Sequence, residues 1–164
     1  MGIKDALFEA FREDHATLGR GLFDLRTMLA AGEIEDIRKA AERLDRDVGA
    51  HIAFEEREFY PALKPFLSQE EIDDMYQDHA EGLLLICEIL NSTDAELAAP
   101  SRQAALTARI EKMEAHVSEC GELFGAMGGL SADEQKALLE KLKEWRKRAP
   151  RWTDFAETPP TPGL

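Results

Sequence analysis

Apolar residues recur at every third or fourth position along almost the whole chain, and nowhere do they alternate with the period of two that a half-buried strand requires. A chain with that pattern folds as packed helices, and 164 residues suffice to bury one continuous core without cross-links. The periodicity predicts four long helices. The first, over 3–30, carries Leu7, Phe11, Leu18, Leu22, Leu25 and Leu29 on one stripe and stops at Gly32. The second runs over 34–60 with Ile37, Ala41, Leu44, Val48 and Phe59 inward, and Pro61 with Pro65 marks its end or a final bent turn. The third opens at Ser68-Gln69-Glu70-Glu71, where the serine oxygen and the glutamate can satisfy each other's free amides, and continues to 90. After a polar loop the fourth starts at Ser101, carries Leu106, Ile110, Met113, Phe124 and Met127, and ends at Gly128-Gly129. A second box, Ser131-Ala132-Asp133-Glu134, begins a shorter helix to 148, and the Pro-rich remainder reads as disordered. The expected fold is all-α: an up-down-up-down antiparallel four-helix bundle over 1–130, a fifth C-terminal helix over 131–148, and a disordered tail over 149–164.

Charge narrows the function. The net charge of −13 disfavours nucleic acid and anionic lipid, which both demand positive faces. Lys141, Lys143, Arg146, Lys147, Arg148 and Arg151 gather late in the chain, but Glu140 and Glu144 interleave with them, and the run reads as a solvated helix face. Two cysteines, Cys87 and Cys120, are too few for a secreted disulfide scaffold. The start, Met1-Gly2-Ile3-Lys4-Asp5, lacks the apolar stretch of a signal peptide, and Ala6 breaks the myristoylation pattern. The longest apolar run, Leu83 to Cys87, falls far short of a membrane span. A cytoplasmic protein, bound to neither nucleic acid nor membrane, is the expectation.

The two halves of the chain share one spacing. Asp14-His15 precedes His51 by 36 residues, and Asp78-His79 precedes His116 by 37. His51 is followed by Glu55 at +4 and Phe59 at +8; His116 is followed by Cys120 and Phe124 at the same offsets. Each histidine continues an apolar stripe: His15 between Phe11 and Leu18, His51 after Val48, His79 between Met75 and Leu83, and His116 after Met113. All four are thus expected to point inward, with Glu55 one turn beyond His51. Their heights match too. His15 lies 17 residues before Gly32 and His51 lies 19 after it, while His51 is 10 before Pro61 and His79 is 11 after Ser68.

An unpaired carboxylate in such a layer would cost several kcal/mol, of the order expected for a buried ion, and a cation removes that penalty. Imidazole with carboxylate suits a transition ion such as iron, zinc, manganese or copper rather than calcium or magnesium. The Glu-x-x-His pairs of ferritin-like di-iron bundles are missing, since Arg12, Val48, Tyr76 and Met113 stand three before the histidines.

Asp14-His15, His51-x-x-x-Glu55, Asp78-His79 and His116-x-x-x-Cys120 on successive helices resemble the hemerythrin-like family, the HHE cation-binding domains, over roughly residues 5–130. In that family an up-down-up-down bundle binds a pair of iron ions bridged by carboxylates and an oxygen atom, and members carry or sense dioxygen, nitric oxide, peroxide or iron itself. The resemblance implies non-haem iron held by His15, His51, Glu55, His79 and His116, with Glu55 as a bridge, and a small diatomic or peroxide ligand. One position departs, because Cys120 stands where the second bridging carboxylate belongs. The remaining set suffices for one ion, and a second would draw on Cys120, Glu119 or solvent. Cys120 reads either as a thiolate ligand or redox-sensitive thiol, or as a small buried hydrophobe; Glu119 reads as a partly exposed glutamate or a substitute ligand.

The other polar and aromatic residues receive plainer readings. Asp14 and Asp78 sit about 100° round the helix from their neighbouring histidines and read as surface charges. Asp47, four before His51, could orient that ring. Tyr60, Tyr76, Trp145 and Trp152 read as packing residues, and Cys87 as an inert buried thiol. The leading expectation is a non-enzymatic iron protein that binds or senses dioxygen, nitric oxide or a related oxidant. Two alternatives stand beside it: a redox enzyme acting on peroxide or nitric oxide, and a metal-independent helical interaction module presenting its fifth helix and acidic surface.

Overall fold

The computed structural model describes residues 3–118 and 121–155, and over these it contains helices and no strand. The first helix, α1 (Ile3–Ala31), buries Leu7, Phe11, Leu18, Leu22, Leu25 and Leu29, the stripe read from the sequence. It stops at Gly32, whose φ of +73° is left-handed and whose amide bonds back to the Met28 and Leu29 carbonyls. Only Gly32 and Glu33 separate it from α2 (Ile34–Phe54), so α2 has no course but back along α1.

The second helix neither ends nor bends simply at Pro61. Residues Glu55–Phe59 make a π-helical turn, closed by the Tyr60 amide bonding five residues back to the Glu55 carbonyl, and α3 (Tyr60–Leu63) follows with Pro61 in its first turn. Proline has no amide hydrogen and its ring collides with the carbonyl four residues earlier in a regular helix; the wider turn upstream places it where a first-turn amide goes unused.

The box at Ser68 forms as predicted, Ser68 Oγ accepting from the Glu71 amide and Glu71 accepting from the Ser68 amide, and it starts α4 (Gln69–Asn91). The segment read as a polar loop contains a short helix, α5 (Asp94–Ala98), opened by an equivalent Thr93–Glu96 box. Two helices, α6 (Pro100–Ser118) and α7 (Gly121–Gly128), occupy the span of the fourth predicted helix. The Phe124 side chain lies outside the described residues. The Ser131 box starts α8 (Ala132–Arg148), which packs across α1 and α2 through Leu138 and Leu142, with Arg146, Lys147 and Arg148 complementing its C-terminal dipole.

The expected disordered tail is corrected over its first part. After Ala149 the chain lies on the bundle and forms a 3-10 turn, Trp152–Phe155, with Trp152 fully buried. Two helix glycines provide its seat: a Cβ on Gly49 would lie 2.0 Å from the Pro150 carbonyl oxygen, and one on Gly82 would lie 2.5 Å from the Trp152 ring. Buried Asp45 accepts from the Thr153 amide and hydroxyl, each at 2.8 Å, so polar contacts as well as apolar burial hold the segment. Residues 156–164 lie outside the described residues.

The apolar interior is in two parts. One gathers Leu18, Leu22, Leu25, Leu44, Val48, Ile86, Ile110 and Trp152; the other gathers Leu7, Phe11, Phe54, Phe59, Tyr60, Met75, Leu123 and Leu142. Each fully buried Leu, Ile or Phe contributes about 1.5–3 kcal/mol of transfer free energy. Buried His51, Glu55 and His79 fall between the two parts along their helices, so the core is interrupted by a polar layer. Among the described residues no helix is long and apolar enough to cross a membrane.

Candidate metal centre

His15 on α1 and His51 on α2 meet because the short α1–α2 link pairs the two helices; their rings stand edge-on with centroids 4.7 Å apart. The ligand atoms of His15, His51 and Glu55 all lie within 4.8 Å of one another, the one such group among the described residues. His15 Nδ1 lies 2.9 Å from the Phe11 carbonyl oxygen, which can only accept, so Nδ1 carries the hydrogen and the neutral ring keeps its Nε2 lone pair free. His51 Nδ1 donates to Asp14 Oδ2 at 3.0 Å, leaving Nε2 to face inward.

That inward atom is orphaned. Among the described residues His51 Nε2 is buried and makes no well-aligned hydrogen bond, yet it stands 2.5 Å from Glu55 Oε1. The pair is close enough to attract but lacks the geometry of an N–H···O bond, an arrangement that suits two donors sharing a cation. The other Glu55 oxygen accepts from the Tyr60 hydroxyl at 2.7 Å. Tyr60 lies five residues on, which in a regular helix is about 140° round the axis; the π turn brings the two together.

His79 on α4 is the next imidazole. Its Nε2 lies 3.9 Å from Glu55 Oε1 and 3.2 Å from the Tyr60 oxygen, while its Nδ1 lies 3.2 Å from Glu56 Oε1. Tyr76 donates to the Glu56 carbonyl at 2.6 Å and so braces the π turn from α4. His116 stands apart from the convergent group. About a third of its side chain is exposed, its Nδ1 lies 2.8 Å from Asp78 Oδ2, and it lines a cleft of about 540 Å³ between α4 and α6 with Gly82, Lys112 and Met113.

Several expectations are corrected here. His15 and His116 are half-buried, while His51 and His79 are buried. Asp14 and Asp78 are not free surface charges: each is turned from its neighbouring histidine toward the histidine of another helix, Asp14 to His51 and Asp78 to His116. Asp47 is exposed and does not orient His51. Tyr60 and Tyr76 do more than pack, and Glu56, unremarked in the sequence, is buried against His79. Arg146 stays exposed but is not simply solvated, since it pairs with Asp14. Cys87 is half-buried, and burial pushes its thiol pKa up. Glu119 and Cys120 lie outside the described residues.

The layer is electrostatically coupled. Burial opposes charge on His51, but Glu55 and Asp14 outweigh it and raise its pKa to about 9. Burial opposes charge on Glu55 as well, and His51, His79 and His15 together hold its pKa well below the usual carboxylate range. His15 moves the other way, lowered chiefly by burial. His79 is raised, its two glutamates overcoming burial. A proton on His51 therefore supplies the positive charge that this cluster demands when no metal does.

A helical bundle whose core is interrupted by imidazoles and a carboxylate converging on one point is, by fold and site, of the cation-binding kind. The family model of the hemerythrin HHE cation binding domain matches residues 6–127, and the chain belongs to that family. No curated protein and no solved structure matches it significantly. The matched stretch runs from α1 into α7 and stops before α8.

Proposed function

We propose that this protein holds non-haem iron in the polar layer and binds a small oxidant such as dioxygen or nitric oxide there. The observation that supports this most directly is the unpartnered His51 Nε2, buried 2.5 Å from Glu55 Oε1 beside the free Nε2 of His15. His15, His51 and Glu55 would hold the ion, and His79 is the nearest further imidazole. Two nitrogens and a carboxylate oxygen leave a six-coordinate ion with open positions. Bound iron would supply a redox-active centre able to take up a small ligand at such a position.

The protein's own groups prepare that site in three ways. Asp14 and the Phe11 carbonyl accept the Nδ1 hydrogens of His51 and His15, so that Nε2 is the nitrogen each ring offers the ion, His51 after giving up its extra proton. Tyr60 holds Glu55 by one oxygen and leaves the other for the ion. Phe11 packs against both rings, with centroids 4.1 Å from His15 and 5.2 Å from His51, and with Phe54 and Phe59 it excludes water on that side.

The test is anaerobic titration with ferrous iron followed by nitric oxide or air. Stoichiometric iron uptake and new charge-transfer absorption on adding the gas are expected. Protein that purifies without metal and also refuses ferrous iron would end this reading.

A further inference from the structure

The helix that lies beyond the family match reaches the metal centre. Arg146, in the last turn of α8, places Nη2 2.8 Å from Asp14 Oδ1 and 3.2 Å from the Ala10 carbonyl oxygen. The other oxygen of the same carboxylate, Asp14 Oδ2, accepts from His51 Nδ1 at 3.0 Å. A guanidinium on α8, a carboxylate on α1 and an imidazole on α2 thus form one chain ending at the orphaned His51 Nε2.

The placement follows from the helix itself. Leu138 and Leu142 are the buried stripe of α8, and Arg146 is the next position four residues on, where the periodicity would otherwise put an apolar side chain against α1. Its aliphatic stem extends that stripe while the charged end stays at the margin, where Arg146 is 38% exposed and Asp14 19%. An ion pair so exposed adds little to stability. Its geometric effect is larger: with Oδ1 engaged by Arg146, the Asp14 carboxylate is held with Oδ2 toward His51. In the second half of the chain, Asp78 holds His116 in the same way, yet among the described residues no arginine or lysine pairs with Asp78. Among the described residues the brace belongs to the His51 side alone.

We propose that Arg146 is a positioning residue for the metal centre, orienting Asp14 so that His51 keeps its hydrogen on Nδ1 and its lone pair on the metal side. This rests on the reading of His51 as a ligand given above. Removing a group that orients a metal-bound histidine typically weakens metal affinity about 10–100-fold, and Arg146, one step further out, belongs near the bottom of that range.

The experiment measures Co(II) affinity of the full chain for the wild type, Arg146→Gln and Lys147→Gln, with the Nδ1/Nε2 tautomer of His51 followed by nitrogen NMR in the Zn(II)-loaded protein. Lys147, exposed in the same turn, controls for the lost charge. Arg146→Gln is expected to bind Co(II) about tenfold more weakly and to show a mixed or mobile His51 tautomer, while Lys147→Gln matches the wild type in both. Should the glutamine variant lose its fold, Arg146→Met, which keeps the apolar stem, carries the same expectation. An Arg146 variant that matches Lys147→Gln in affinity and tautomer overturns the proposal and leaves the metal site standing. A wild type that takes up neither metal overturns both.

Discussion

Binding of a divalent metal at His51 should release a proton, because the cluster holds one there when it is empty of metal. With a pKa of about 9, His51 is almost fully protonated at pH 7, and removing that proton costs about 3 kcal/mol at 1.4 kcal/mol per unit. His15 and Glu55 hold no such proton, since both pKa values are shifted downward. Apparent affinity for Co(II) should therefore rise about tenfold per pH unit from pH 7 toward 9, roughly a hundredfold in all. Calorimetric titration at pH 6.5, 7.5 and 8.5, in buffers of different ionisation enthalpy, counts the protons directly, and about one is expected. The metal-free protein should show the opposite slope. The stabilisation from His51's raised pKa is complete below about 6.5 and is lost as pH rises through about 9. The stabilisation from Glu55's lowered pKa is complete above about 4.5 and is lost as pH falls through its folded-state value. An affinity flat across this range, with less than about half a proton released, would refute the coupling of His51 to the ion.

Tyr60→Phe removes the hydroxyl donor to Glu55 Oε2 and leaves that oxygen buried, so urea denaturation of the metal-free protein should register a loss of about 1–3 kcal/mol. Gly49→Ala puts a methyl group 2.0 Å from the Pro150 carbonyl oxygen; the terminal segment must lift, costing about 1–3 kcal/mol and exposing Trp152 to acrylamide quenching. Leu22→Ala, deep in the part of the core away from α8, should cost about 2–5 kcal/mol in thermal or chemical unfolding while leaving metal stoichiometry unchanged.

What the sequence made legible was everything set by spacing within one helix. The stripes of α1, the stop at Gly32, the boxes at Ser68 and Ser131 and the stacking of Glu55 one turn beyond His51 each follow from counting along a single helix, and His15 joins them through its matching distance from the Gly32 link. Thr93-Asp94-Ala95-Glu96 carries the same box signature, and only its brevity hid α5. Asp14 and Asp78 were misjudged because helical spacing relates each to its own neighbouring histidine, while its partner is the histidine of another helix. Arg146 pairs with a carboxylate 132 residues away, which no local pattern encodes. The buried terminal turn did leave a trace, since Gly49 and Gly82 interrupt otherwise favourable helices where another segment must approach.

The π-helical turn at Glu55–Phe59 acts on the chain as a change of phase. It holds one residue more than a regular turn, so every later side chain of that helix is set back by about 100° from where a regular helix would place it relative to His51. Tyr60 and Leu63 reach the interior through that offset. Closing that turn to a regular helix without removing a residue would rotate both away together, whereas deleting one residue between Glu56 and Glu58 would let the helix close with their facing unchanged. At this point in the molecule, the number of residues matters more than their identity.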